Sequence, residues 1–195
     1  MKQLFAIWFW STIGSSVVFS QKLEDTLSYV TLEEAKTMGK EAVTALDLRR
    51  NRLKELPEEL FEFKNLKGLD LSKNKLTDLP EKFKTLHHLQ FLHLNKNKFR
   101  YYPAEINHLS DLRYLDLSRN KITAIPSGVK SLKNLVYLDI WNTRIKTLPE
   151  ELSSLSQLIY LDVRGVTFSP SFVEKWTKKM PYTTIKFDKP CNCLE

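Results

Sequence analysis

Three side chains that could bind a metal or transfer a proton recur at a fixed spacing in the middle of the chain. Asp70, His93 and Asp116 are separated by 23 residues each. Carboxylate and imidazole groups are transition-metal ligands, and histidine titrates near neutral pH. If a parallel sheet placed successive 23-residue units side by side, His93 would lie about 5 Å from each carboxylate. Nothing enforces a metal geometry, so a histidine that relieves repulsion within an acidic row is the simpler interpretation. We expect no metal and no cofactor.

No other arrangement in the sequence carries catalytic chemistry. The five glycines form no phosphate-binding loop, and neither a His-Glu-x-x-His pair nor a nucleophile elbow is found. Carboxylates on a flat surface also lack the separate environments that would set the two pKa values of a glycosidase apart. His87, His88 and His108 are interpreted as solvated residues. We therefore expect no catalytic residue and no enzymatic activity.

The 23-residue spacing extends over most of the chain and organises two kinds of residue. The prolines are Pro57, Pro80, Pro103, Pro126 and Pro149. The apolar residues that open each unit are Val43, Leu66, Leu89, Leu112, Leu135 and Leu158. A fixed period of this kind predicts units that pack only against their neighbours and share one elongated core.

One unit reads Leu66-x-x-Leu69-x-Leu71-x-x-Asn74-x-Leu76-x-x-Leu79-Pro80, followed by Phe83 and Leu86. This pattern resembles the leucine-rich repeat family, in its 23-residue type with a Leu-Pro step, and the whole chain resembles secreted bacterial members. The resemblance covers residues 43–168, as five full repeats and one partial repeat. It implies an α/β solenoid with a short, curved parallel sheet, an exposed concave face, and an extended or 3₁₀-helical convex side.

Polar residues and caps should complete this solenoid. Four asparagines in register are predicted to stack as a hydrogen-bonded ladder: Asn51, Asn74, Asn97 and Asn120. In the N-terminal cap (21–42), the Thr31-x-x-Glu34 pattern predicts a helix through about Met38 that ends at Gly39.

In the C-terminal cap (169–195), Ser169 and Pro170 predict the start of a helix that reaches Lys179. Pro181 should stop this helix. The alternating Tyr182, Ile185 and Phe187 predict a final extended segment that seals the last repeat.

The resemblance implies that partners bind the concave face, where the sequence offers an aromatic column beside an acidic one. A plain soluble strand sequence would also explain both columns, and packing on the C-terminal cap would explain Trp141. Departures from the common repeat pattern and exposed aromatic residues with arginine favour a contact site. The predicted partner-binding residues are Phe91, His93, Asn95, Tyr114, Asp116, Tyr137, Asp139, Trp141, Tyr160 and Arg164.

A protein is the expected partner, and the alternative is a cell-wall or extracellular polysaccharide bound through the aromatic column. The formal charge is +7, and the eighth position of four repeats is basic, at Arg50, Lys73, Lys96 and Arg119. No run of five like charges and no basic stripe is evident, so this charge is interpreted as favouring solubility. We expect no nucleic-acid binding, and we expect a monomer.

The ends of the chain carry two further signals. Lys2, the apolar stretch 4–19 and Ser20 have the pattern of a signal peptide cleaved before Gln21, and an uncleaved anchor is the rival interpretation. The mature chain should then lack a membrane span and be secreted, periplasmic or held at the cell surface. Cys191 and Cys193 could form a strained local disulfide, remain as free or intermolecular thiols, or contribute to a metal site.

Overall fold

The computed structural model describes residues 24–188, so the predicted signal peptide and Cys191 to Cys193 lie outside the described residues. The described chain forms one sheet of seven parallel strands in sequence order. The strands are β1 (Ala45–Asp47), β2 (Gly68–Asp70), β3 (Phe91–His93), β4 (Tyr114–Asp116), β5 (Tyr137–Asp139), β6 (Tyr160–Asp162) and β7 (Thr184–Lys186). The solenoid and the six repeat strands are confirmed, and the extended segment predicted in the C-terminal cap is the seventh strand.

Each repeat strand has only three residues, and their alternation divides the sheet into two faces. Side chains along a strand point to opposite sides. The central leucine of every repeat strand, from Leu46 to Leu161, is fully buried in the core. The residues on either side of it therefore point to the other face, which we name the outer sheet face. Repeats pair in register at the 23-residue spacing, as with Leu92 and Leu115, so side chains at equivalent positions form columns.

The opposite side of the core is closed by 3₁₀-helices, as predicted. Proline precedes each of these five-residue helices with φ between −66° and −76°. The helices are Glu58–Glu62, Glu81–Thr85, Ala104–His108, Ser127–Ser131 and Glu150–Ser154. Phe83 and Leu86 are buried beneath this layer, so the predicted core positions are confirmed.

The asparagine ladder is present, with one correction. Asn97 Nδ2 donates to the carbonyl oxygens of Leu71 and Leu94 at 2.9 and 3.0 Å, and its Oδ1 accepts from the Leu76 N–H. Asn74 and Asn120 make equivalent bonds. Asn51 was predicted to join them but is exposed, because no repeat precedes it to supply a carbonyl group.

Thr143 stands where the next asparagine would fall. It is 7% exposed, and its hydroxyl donates to the Ile140 carbonyl at 2.8 Å. Departures from the repeat pattern suggested a contact site at the sequence level. The departure at Thr143 has a structural role.

The turn after each strand requires a left-handed backbone at the same repeat position. Arg50, Lys73, Lys96, Arg119 and Asn142 have φ between 54° and 59°, and Gly165 follows with φ 88°. A Cβ atom on Gly165 would lie 2.7 Å from the Asn142 backbone. The last turn is therefore restricted to glycine by its conformation and by contact with the preceding repeat.

Two helices cap the solenoid where the sequence predicted them. Helix α1 (Leu32–Thr37) begins with a capping box between Thr31 and Glu34 and buries Ala35. Helix α2 (Pro170–Lys179) has Ser169 as its N-cap and buries Trp176. Tyr182, which was expected to help seal the last repeat, is 84% exposed, because the extended backbone begins only at Thr184. Neither helix has the length and apolar sequence that a bilayer span requires.

Candidate functional site

Three tyrosines form a stack on the outer sheet face. The register pairs Tyr114 with Tyr137, and Tyr137 with Tyr160. Their ring centroids are 4.4 and 4.7 Å apart, with interplanar angles of 9° and 7°. Strand spacing in a sheet is close to the thickness of stacked rings, so a column of identical aromatic residues packs this way. Both faces of the central Tyr137 ring are covered by its neighbours, and the Tyr160 hydroxyl donates to the Asp162 carboxylate at 3.3 Å.

An acidic column runs beside this stack, and each carboxylate has a local structural partner. Asp139 accepts a hydrogen bond from the Trp141 N–H at 2.8 Å, and Asp116 and Asp162 bond the equivalent N–H groups of their own turns. The side chain of Arg164 also donates to both carboxylate oxygens of Asp162. These bonds fix the turn that follows each strand.

The two carboxyl groups at the centre of the acidic column, Asp116 and Asp139, have raised pKa values. Burial, followed by the nearby charge of Asp116, raises the pKa of the Asp139 carboxyl to about 7, although the Trp141 N–H and Arg164 oppose this shift. Burial also raises the pKa of Asp116, against the bond from Ser118 and the charge of His93. A cationic or hydrogen-donating partner group would stabilise the ionised form of this pair.

Trp141 lies at the end of the strand in the fifth repeat and is stacked with an arginine. The guanidinium carbon of Arg119 is 4.3 Å from the centroid of the Trp141 ring. The Arg119 N–H also donates to the Trp141 carbonyl at 2.8 Å, so the two residues are joined through backbone and side chain. The cation–π contact thus holds the half-buried indole and the guanidinium group against each other.

The first half of the outer sheet face is occupied by the chain's own N-terminal residues. The hydroxyl of Tyr29 donates to the Glu24 carboxylate at 2.9 Å, and His93 Nε2 lies 2.6 Å from the same carboxylate oxygen. A Cβ atom on Gly68 would meet the Tyr29 hydroxyl at 2.6 Å and Leu27 Cδ1 at 2.9 Å. We name residues 24–30 the N-terminal strap.

Small residues in the aromatic column make room for this strap. The column reads Ala45, Gly68, Phe91, Tyr114, Tyr137, Tyr160, and the register sets Gly68 directly beside Phe91. Phe91 is only 1% exposed. Val30 continues the strap as an isolated parallel bridge with Leu46 at the first edge of the sheet.

The predicted site residues therefore fall into two groups. Tyr114, Tyr137, Asp139, Trp141, Tyr160 and Arg164 lie together on the part of the outer sheet face that the strap leaves open, with the more deeply buried Asp116 between them. Phe91 and His93 are placed beside or beneath the strap, and Asn95 is half-buried with its carbonyl bonded to the Lys73 N–H.

Sequence reasoning missed Glu24, Leu27 and Tyr29. The available signal was the pair of small residues, Ala45 and Gly68, that interrupts an otherwise aromatic column. His93 also lies between Asp70 and Asp116 in register, as predicted, but its short contact is with Glu24.

Comparison with known proteins agrees with this architecture. A model described as "Leucine rich repeat" matches residues 41–99, and one described as "Leucine-rich repeat region" matches residues 97–180. A leucine-rich repeat protein of Leptospira interrogans is 38% identical with a TM-score of 0.70, over 74% of this chain and 37% of that one. No curated protein matches.

Two further solved structures are similar. The leucine-rich repeat ectodomain of the plant receptor kinase GASSHO1/SCHENGEN3 from Arabidopsis thaliana, in complex with CASPARIAN STRIP INTEGRITY FACTOR 2, is 31% identical with a TM-score of 0.53, over 62% of this chain and 15% of that one. Internalin C2 from Listeria monocytogenes is 22% identical with a TM-score of 0.62, over 75% of this chain and 62% of that one, and it shows the fold alone. The chain thus spans only 15% to 62% of these proteins. From its repeat period, its strand register and these matches, the chain belongs to the leucine-rich repeat family.

Proposed function

We propose that this protein is a non-catalytic recognition module that binds a protein partner through the outer sheet face of β4, β5 and β6. The observation that carries the proposal is the open cluster formed by the tyrosine stack and the Arg119–Trp141 pair. Rigid aromatic side chains and arginine supply much of the binding energy in protein interfaces. The plant receptor ectodomain was solved in complex with a named factor, which supports a recognition role for this fold.

The strap limits where a partner binds. It covers β2 and β3 with the His93–Glu24 ion pair and with the side chains of Leu27 and Tyr29, which lie over Gly68. A partner that binds without displacing the strap contacts the residues on the outer sheet face of β4 to β6, from Tyr114 to Arg164. We therefore propose that Phe91 and His93 hold the strap in place in this form of the protein, and that the remaining predicted residues bind the partner.

The geometry favours a protein over a polysaccharide at this cluster. Sugar rings stack on free aromatic faces, whereas both faces of Tyr137 are covered by Tyr114 and Tyr160. The groups left available are ring edges, phenol hydroxyls and partly buried carboxylates, which match the backbone and the cationic side chains of a polypeptide.

We further propose that the protein works outside the cytoplasm after removal of residues 1–20. N-terminal sequencing of the exported protein tests this step. A mature chain that begins at Gln21 is expected, whereas one that begins at Met1 would indicate an anchor or an internal location.

The binding proposal is tested by capture from a cell-envelope extract, followed by titration with the purified partner. The test variant is Tyr137→Ala/Trp141→Ala, and the control is Tyr101→Ala/Tyr182→Ala, because Tyr101 and Tyr182 are 79% and 84% exposed away from this cluster. We expect the test variant to lose at least tenfold in affinity, about 1.4 kcal/mol, and the control to bind as the native chain does. Equal binding by both variants would exclude this part of the sheet as the site.

A further inference from the structure

Basic residues that are separated in the sequence lie together along one edge of the solenoid. In each of five repeats we take the five residues that begin at the left-handed turn position, and together these segments include twelve lysines and arginines and no acidic residue. We name this set the basic edge: Arg50, Arg52, Lys54, Lys73, Lys75, Lys96, Lys98, Arg100, Arg119, Lys121, Arg144 and Lys146. The expectation that the chain has no basic stripe is therefore wrong. No five basic residues are adjacent in sequence, but the 23-residue period superimposes them in space.

Backbone hydrogen bonds hold the columns of this edge in register. The Lys75 N–H donates to the Leu53 carbonyl at 2.7 Å, and Lys98, Lys121 and Arg144 repeat this bond at 2.8 Å in the following repeats. A second ladder links the turn residues, as between the Lys73 N–H and the Asn95 carbonyl. Consecutive charges in a column are therefore about 4.8 Å apart, and five repeats span roughly 19 Å.

These cations are not neutralised within the described chain. Eleven of the twelve are exposed and Lys73 is partly so. The ion pairs formed by residues 24–188 all involve other basic residues. Nearby Arg50, together with Lys96 and Arg49, lowers the pKa of Lys73, which indicates repulsion between like charges.

The net charge of the protein resides on this edge. The sequence has 30 lysines and arginines against 23 aspartates and glutamates. Without the twelve edge residues, 18 basic residues would face 23 acidic ones, so the rest of the chain is net acidic. A protein with this separation of charge presents a linear cationic surface along one side.

We infer that the basic edge binds an anionic polysaccharide, whose charged groups lie along the ladder of lysines and arginines. A polymer with regularly repeated anionic groups matches a column of regularly spaced cations, and its counterions are released on binding. Within the described edge only Arg119 contacts an aromatic ring, so a stacking platform for the bases of a single-stranded nucleic acid is missing there. This surface borders the outer sheet face proposed for the protein partner and shares Arg119 with it.

The test uses the full mature chain and heparin as the probe, with titrations over a series of NaCl concentrations. The edge variant is Lys75→Gln/Lys98→Gln/Lys121→Gln, which removes one column of exposed, unpaired lysines. The matched control is Lys64→Gln/Lys130→Gln/Lys133→Gln, which removes the same charge from exposed positions elsewhere. Circular dichroism verifies that each variant is folded.

We expect the edge variant to lose at least tenfold in heparin affinity at physiological salt and to show a shallower dependence on salt. The control should change by less than about threefold. Affinity should also rise with the length of heparin oligosaccharides until they span roughly 19 Å, and then level off.

Equal losses in the two variants would overturn the proposal, because affinity would then follow net charge alone. No loss in either variant would also overturn it, because the lysine column would then make no contribution to binding. Tighter binding of a single-stranded DNA, of poly-glutamate or of phosphatidylserine vesicles than of heparin at the same salt would overturn the assignment to a polysaccharide.

Discussion

The imidazole of His93 lies 2.6 Å from the carboxylate of Glu24, although 69 residues separate them in the sequence. Both side chains are largely buried, with exposed fractions of 17% and 18%. The contact explains why one position of the acidic column is a histidine. An aspartate there would place a second carboxylate against Glu24, whereas histidine accepts this neighbour and becomes the cationic half of an ion pair.

This ion pair predicts how docking of the strap depends on pH. Burial opposes the charge on His93, but the hydrogen bond and charge of Glu24 outweigh it and raise the pKa of His93, with Asp70 and Asp116 adding to the rise. Burial likewise opposes ionisation of Glu24, while His93 and Tyr29 lower its pKa. The histidine contribution is lost as pH rises through its folded pKa, and the glutamate contribution as pH falls through its own.

Glu24→Gln should therefore destabilise the protein most between about pH 4.5 and 6.5, by on the order of 1 to 3 kcal/mol, and less at pH 9. Thermal unfolding of both proteins across this range measures the difference. A destabilisation that does not vary with pH would show that the ion pair is not formed. Lys36→Gln at an exposed pair serves as the control, because an ion pair at the surface should contribute little to stability at any pH.

Gly68→Tyr should release the strap. The side chain would fill the space of Leu27 and the Tyr29 hydroxyl and would extend the aromatic column by one position beyond Phe91. Amide hydrogen exchange of residues 24–30 should accelerate at least tenfold, while the strands keep their protection. Unchanged exchange in this segment would contradict the role assigned to Gly68.

The buried asparagines should matter far more than the exposed one. Asn97→Ala removes two donated bonds and one accepted bond and leaves the Leu71 and Leu94 carbonyls and the Leu76 N–H short of a partner. We expect a loss of about 2 to 4 kcal/mol in the free energy of unfolding by urea. Asn51→Ala, at an exposed position in the same column, should cost less than about 0.5 kcal/mol, and similar losses in the two variants would contradict the ladder described above.

Gly165→Ala tests the last left-handed turn. The alanine would have to keep φ near 88° and place Cβ 2.7 Å from the Asn142 backbone. We expect a loss of about 1 to 3 kcal/mol, measured by thermal unfolding. Gly39→Ala is the matched control, since its φ is −63° and nothing lies within 4 Å of the added atom. An effect at Gly39 as large as at Gly165 would remove the steric explanation.

Two aspartates at equivalent repeat positions should respond to pH in opposite ways. The pKa of Asp139 is raised to about 7 by burial and the neighbouring carboxylates, so its ionisation costs stability as pH rises from about 4 to 7. Burial also acts on Asp47, but hydrogen bonds from Arg49 outweigh it and lower the pKa, so its contribution is present above about pH 4 and lost below.

Asp139→Asn should therefore gain stability relative to the native protein as pH rises from about 4 to 7, by on the order of 2 to 4 kcal/mol, whereas Asp47→Asn should lose stability relative to it as pH rises to about 4 and change little above that. Parallel thermal unfolding curves at about pH 2.5, 4, 5.5 and 7 measure both differences. A common sign for the two variants would contradict the proposed distribution of charge.

The sequence predicted the features that repeat, because each of them follows from a 23-residue register. The strands, the Asn74 to Asn120 ladder and the 3₁₀-helices are of this kind. Both helix starts were predicted from local patterns instead, the Thr31-x-x-Glu34 capping box and the Ser169-Pro170 pair. The strap was missed because Glu24, Leu27 and Tyr29 precede the repeats and carry no periodic signal. Their partners, Gly68 and His93, deviate from the repeat pattern. Such a deviation indicates that another part of the chain makes contact there, but it does not identify which residues do so.

The basic edge was missed for a different reason. The eighth position was recognised as a column, but Lys75, Lys98 and Lys121 were treated as dispersed surface charge. A run of like charges is recognised from residues that are adjacent in the sequence, whereas the solenoid places residues that are 23 apart next to each other. The same column analysis, applied to every turn position, would have identified the edge.

The strap makes the two halves of the solenoid different from each other, although both are built from the same repeat. A duplication or deletion of 23 residues within the tyrosine-bearing half would preserve the backbone ladders and simply lengthen or shorten the open surface. The same event around Gly68 or His93 would misalign the cavity for Leu27 and the partner for Glu24. A change in repeat number should therefore leave the strap in place only when it falls in the tyrosine-bearing half of the solenoid.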